Sequence, residues 1–164
     1  MTEVFVQSPP SLGNVYQDDS FLRSYLQRKL SAEVLSSIEP DLQALGSICG
    51  GELYRLQLAD RLHDPELTQW DAWGNRIDHI EVSPLWKRAA DIAARAGLIA
   101  IPYERAHGRY SRIHQFAAVY LFHPSSDVYT CPLAMTHAAA RTLLASGNDR
   151  LIPGAAPRLP HRDP

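Results

Sequence analysis

Residues 40–62 read PDLQALGSICGGELYRLQLADRL, and this stretch decides the fold. Leu42, Leu45, Cys49, Leu53, Leu56 and Ala59 recur at spacings of three and four. A helix turns once in about 3.6 residues, so these side chains share one face, whereas a strand would scatter them over two. The pattern predicts an amphipathic helix to about Leu62, with Pro40 in its first turn, where a missing N–H breaks no bond. Gly50 and Gly51 interrupt it, each costing about 1 kcal/mol relative to alanine. Close approach by a neighbouring helix is one physical reason to keep them.

Working outward, helix signals recur on both sides. Upstream, Ser31 can cap a helix with Glu33 in its first turn, and Pro40 is expected to end it. Asp19 or Ser20 can cap the segment FLRSYLQRKL, and residues 1–19 read as an extended, turn-rich arm. Downstream, Gly74-Asn75 separates LTQW from RIDHIEV, which predicts a small hairpin or structured loop near residues 67–82. Ser83-Pro84 starts a helix that Gly97 stops. The segment YSRIHQFAAVYLF is apolar nearly all round and is expected to be a buried central helix, ended or kinked at His123-Pro124. A last helix covers about 131–146, with Gly147 beyond its end. Proline recurs through the tail IPGAAPRLPHRDP, which is expected to form neither helix nor central strand and to act as a linker over residues 148–164. The fold class is mainly α: a helical up-and-down bundle over residues 20–147 with one small hairpin.

Composition limits the function classes. The chain has 164 residues, an ordinary charged fraction of 21% and a formal net charge of -2. Phosphate backbones and anionic lipid surfaces call for clustered Lys and Arg, and no basic run here exceeds two residues, as at Arg28-Lys29, so no nucleic-acid partner is expected. No apolar run approaches the roughly 18 residues of a membrane span. The first ten residues show no secretory pattern, and two cysteines are not a disulfide framework, so a cytoplasmic location is expected.

Catalytic signatures are missing from the string. No HxxH or HExxH pairs any of the seven histidines, and His107, His114 and His123 have no acid or thiol at ligand spacing. No GxSxG elbow, GxGxxG or GxxxxGK[ST] loop is present. Cys131 beside Pro132 at a helix start could carry a reactive thiol, but a packed, inert thiol is the better expectation. Trp70 and Trp73 could face a ligand, but packing against the helices is the safer expectation.

Four strings, in order, resemble the N-terminal domain of acyl-CoA dehydrogenases, in the branch of the alkylation-damage response flavoproteins and their long-chain relatives. They are DAWGNRIDHIEVSPLWK from Asp71, SRIHQF from Ser111, YTCPLAMTHAAARTLL from Tyr129 and PRLPHRDP from Pro157. The resemblance implies a three-part enzyme: a helical domain, a middle β-domain and a C-terminal four-helix bundle. FAD lies between the last two. A glutamate of the C-terminal domain removes the α-proton of the acyl-CoA while flavin N5 accepts the β-hydride. This chain is expected to stop where the family enters its β-domain, so it should carry no catalytic, cofactor or metal residue and should bind no cofactor alone. What it should carry is a wall of the acyl channel: Met135, Thr136, Ala139, Ala140 and Leu143, which share one helical face. Its expected partners are the acyl-CoA substrate and the remaining domains, not a membrane. A non-catalytic interaction module, or one subunit of a split enzyme, is the competing expectation.

Overall fold

Tyr16 is 1% exposed and donates its hydroxyl to Glu39 at 2.9 Å, so the chain is tied into its core before the first helix begins. A computed structural model of the protein describes residues 6–8, 10–60, 62–155 and 159–162. Asp19 caps α1 (Ser20–Lys29) by accepting from the Leu22 N–H at 2.7 Å, and Ser31 caps α2 (Ala32–Ile48) through Val34. A π-helical segment, Cys49–Leu53, then joins α2 to α3 (Tyr54–Asp60). After the hairpin of β1 (Glu66–Trp70) and β2 (Arg76–Glu81) come α4 (Pro84–Arg95), α5 (Ile101–Glu104), α6 (Ser111–Phe122), α7 (Thr130–Ser146) and the single turn α8 (Ile152–Ala155). The molecule is mainly helical, as the periodicity predicts. Its core joins Leu22 and Leu26 of α1 to Ile38, Leu42 and Leu45 of α2, Leu85 and Ile92 of α4, and Leu121 and Phe122 of α6.

Several expectations need correction. Pro40 does not begin a helix but sits inside α2. Its ring removes a bond to the Ser36 carbonyl, and both residues are exposed, so the freed carbonyl is open to solvent. The glycines are approached not by a neighbouring helix but by the N-terminal segment. A Cβ on Gly46 would lie 2.5 Å from Asn14 Oδ1, and one on Gly50 would lie 2.1 Å from the Gly13 carbonyl oxygen. A Cβ on Gly51 meets nothing within 4 Å. α6 is buried on one side only, since Phe116 is 62% and Tyr120 52% exposed. Cys131 is exposed rather than packed, while Cys49 is fully buried and burial pushes its thiol up to about 12.

The hairpin forms where its turn chemistry predicts. Asp71 accepts from the Trp73 and Asn75 N–H groups, both at 2.9 Å, and Gly74 takes φ +83. The strands pair antiparallel, Leu67 opposite Ile80, with an irregularity between Thr68 and Trp70. Every residue of both strands is exposed, so Trp70 and Trp73 do not pack on the helices. The Pro-rich tail does contain a helical turn, α8, with Pro153 in its first turn, where it loses no bond. Further on, Arg162 forms a two-pronged pair with Glu104, both contacts at 2.7 Å, and its guanidinium occupies the space a Cβ on Gly97 would need.

Candidate functional site

α7 carries all five residues expected to line a channel, and the bundle holds this helix by a narrow strip. At its start, the Tyr129 ring meets Trp86 edge-on at 5.0 Å between centroids and Phe122 at 6.5 Å. Thr130 Oγ1 lies 2.7 Å from His123 Nδ1. Midway, His137 fastens α7 to α5 and α6. The Arg112 guanidinium can only donate, so His137 Nε2 accepts from it at 2.7 Å. The proton therefore sits on Nδ1, facing the Tyr103 oxygen at 3.3 Å, and the Tyr103 hydroxyl donates to the His137 carbonyl at 3.0 Å. Burial first, and then the charge of Arg112, pushes the His137 pKa below its ordinary value, consistent with that neutral form.

Exposure of the five residues changes in order around α7. At about 100° per residue, the sequence around the axis is Met135, Ala139, Leu143, Thr136, Ala140, spanning roughly 140°. Met135 and Ala139 are exposed, Leu143 and Thr136 half-buried, and Ala140 only 1% exposed. The Thr136 hydroxyl donates to the Pro132 carbonyl at 2.9 Å and so stays with its own helix. The stripe thus runs from an open edge into the bundle core. Four cavities elsewhere on the molecule are lined by other residues. Beside Met135 and Ala139, Ala134, Ala138, Thr142 and Ala145 are also exposed, giving α7 a small, weakly polar outer surface.

Among the described residues, no group of three or more His, Cys, Asp or Glu could hold a metal ion. His107 and His114 do approach, with ring centroids 5.7 Å apart. No helix among the described residues is long and apolar enough to cross a membrane. The His137 network was not legible in the string, because Tyr103, Arg112 and His137 meet only after three helices pack. Four arginines gathered beside it were missed for the same reason, although Arg105, Arg109 and Arg112 already recur at spacings of four and three.

Solved structures share this fold closely. Bd2924 in its apo form aligns with a TM-score of 0.89 at 35% identity, over 98% of this chain and 32% of that one. Caenorhabditis elegans ACDH-11 in complex with C11-CoA aligns at 0.87 and 36% identity, over 99% of this chain and 28% of that one. In sequence, the Caenorhabditis elegans protein named acyl-CoA dehydrogenase family member 11 is 37% identical over 164 residues, 98% of this chain and 27% of the relative. The fold is therefore that of an acyl-CoA dehydrogenase N-terminal region. The chain belongs to the family described as the adaptive response protein AidB N-terminal domain, which it matches over residues 7–163. It spans less than a third of the length of these relatives.

Proposed function

We propose that this chain serves as the N-terminal helical domain of an FAD-dependent acyl-CoA dehydrogenase, with the outer edge of α7 as one wall of the acyl channel. The observation that supports this most is the open side of α7. A helix of small and apolar residues lies with Met135 68% exposed, along the stripe that the family resemblance assigns to the acyl chain. One wall needs another, which the remaining domains of the longer relatives would supply. Met135 and Ala139 then face the acyl chain, Thr136 and Leu143 form its margin, and Ala140 backs them from the core. The structure of a relative with C11-CoA supports an acyl-CoA as substrate. In such an enzyme the flavin accepts hydride from the acyl β-carbon. No glycine loop suited to its phosphates is present in the chain, so no step is assigned to residues here. Unpaired Cys49 and Cys131 support a cytoplasmic location.

The test is a chimera in which this chain replaces the matching region of the Caenorhabditis elegans relative. It should bind FAD and reduce it when given a long-chain acyl-CoA. A folded, flavin-loaded chimera that no acyl-CoA reduces would favour the second reading, an interaction module. The exposed hairpin, with Trp73 86% exposed, is the observation that keeps this second reading in play.

A further inference from the structure

Positive charge is concentrated where the proposed function does not use it. α5, the 3-10 turn Gly108–Tyr110, the start of α6 and the last part of α7 enclose a cavity of about 340 Å³. Arg105, Arg109, Arg112 and Arg141 all line it, and no carboxylate does. The whole chain carries a formal charge of -2, so this is a local excess against the mean field. Elsewhere Arg76 pairs with Asp78, Arg88 with Glu52 and Asp91, Arg95 with Asp91, and Arg162 with Glu104. Among the described residues, none of the four cavity arginines has an acidic partner. Arg112 is held by Gln115 and His137, and Arg109 lies over the Tyr110 ring at 4.7 Å.

The backbone builds the same cavity. Arg105 takes φ +53, in the left-handed region, and so ends α5 and turns the chain back toward α6. Neither the 3-10 turn nor α6 has a side-chain cap, and Gly108, Ser111 and Arg112 at that start line the cavity. The positive end of a twelve-residue helix therefore adds to four guanidinium groups. Four like charges in one cavity repel each other until an anion joins them. A single carboxylate would cancel one of them, whereas a diphosphate carries several charges on oxygens that match the arginine fork.

We propose that this cavity binds the diphosphate of a nucleotide-type ligand. Arg112 is the fixed anchor, and the exposed Arg109 and Arg141 close on the phosphate oxygens. Arg141 lies on the opposite edge of α7 from Met135 and Ala139, so the site is separate from the acyl-facing stripe and does not depend on that assignment. CoA and free adenine nucleotides both carry the required group.

The experiment is calorimetric titration of the full chain with inorganic pyrophosphate, at low and at moderate salt. We expect saturable one-to-one binding that weakens with salt. Orthophosphate should bind about tenfold more weakly, and R109Q/R141Q should lose about tenfold in pyrophosphate affinity. R28Q/K29Q, a charge change elsewhere, should bind as the wild type does. Arg141→Gln alone, an exposed substitution, gives the same comparison if the double variant melts early. Competition separates the sources: equal displacement by CoA and ADP assigns recognition to the diphosphate alone, and displacement by CoA only makes this the phosphate end of a CoA site. No saturable binding, binding unchanged in both arginine variants, or a preference for a glutamate-rich peptide would overturn the proposal.

Discussion

A Cβ on Gly50 would lie 2.1 Å from the Gly13 carbonyl oxygen, whereas one on Gly51 meets nothing within 4 Å. The two neighbouring glycines should therefore respond oppositely to alanine. Gly50→Ala must displace the segment that carries Tyr16 into the core and should cost about 1–3 kcal/mol. Gly51→Ala relieves the entropic cost of glycine in a helix and should stabilise by up to about 1 kcal/mol. Urea unfolding of both variants checks the pair, and equal signs would contradict the close approach. His114 gives a pH prediction. It is 7% exposed, beside His107, with Asp41, Glu104 and Arg162 acting on it. Burial, and then His107, pushes its pKa below the ordinary 6.5. On acidification the unfolded chain takes up the proton first, so stability is full above about 6.5 and falls as pH drops toward the folded-state pKa. His137 shifts in the same direction. The urea midpoint should drop between about pH 7.5 and 5.5, and His114→Gln should flatten that slope. An unchanged slope would place the effect elsewhere.

At the scale of elements, Asp60 joins α3 to α4. Its carboxylate accepts from the Leu85 N–H at 2.5 Å and lies 2.8 Å from His63 Nδ1. Burial opposes ionisation of this carboxyl, but the Leu85 and His63 contacts outweigh it and hold the pKa below the usual range. Asp60→Ala leaves the α4 start without its buried acceptor and should cost about 1–3 kcal/mol. Asp60→Asn keeps an acceptor and should cost less, while equal losses would point to packing alone. Signals confined to a few residues were readable from the sequence. The Asp19, Ser31 and Ser83 caps, the turn at Gly74-Asn75 and the Gly97 and Gly147 stops all form, because each is settled within one turn of chain. Features that depend on which side faces outward were not readable. Pro40 is tolerated because its face is wet, Trp70 and Trp73 stand clear of the helices, and Cys131 opens the exposed side of α7. Asp60 is distant from Leu85 in sequence, so its role emerges only when α3 meets α4.

At the scale of the molecule, apolar surface is left uncovered in several places. Phe21, Tyr25, Phe116 and Tyr120 line an open groove between α1 and α6, and the hairpin and α7 are bare as well. The chain alone should therefore self-associate and bind a dye for apolar surface. Sedimentation showing a monomer at high concentration, with no dye signal, would contradict this. The family was legible because four strings keep their order, but a channel wall cannot be seen in one wall. The direct measurement is kcat/KM over a ladder of acyl-CoA lengths for the chimera carrying Ala139→Phe, with Tm recorded alongside. Ala139 lies off the bundle core and on the proposed channel side, so Tm should hold, whereas Ala140→Phe would overpack the core and lower it. Short acyl chains should keep their kcat/KM. Long ones should lose about 0.8 kcal/mol of transition-state binding for each methylene that can no longer be buried. No loss at any length, or a uniform loss at unchanged Tm, would contradict a channel along α7.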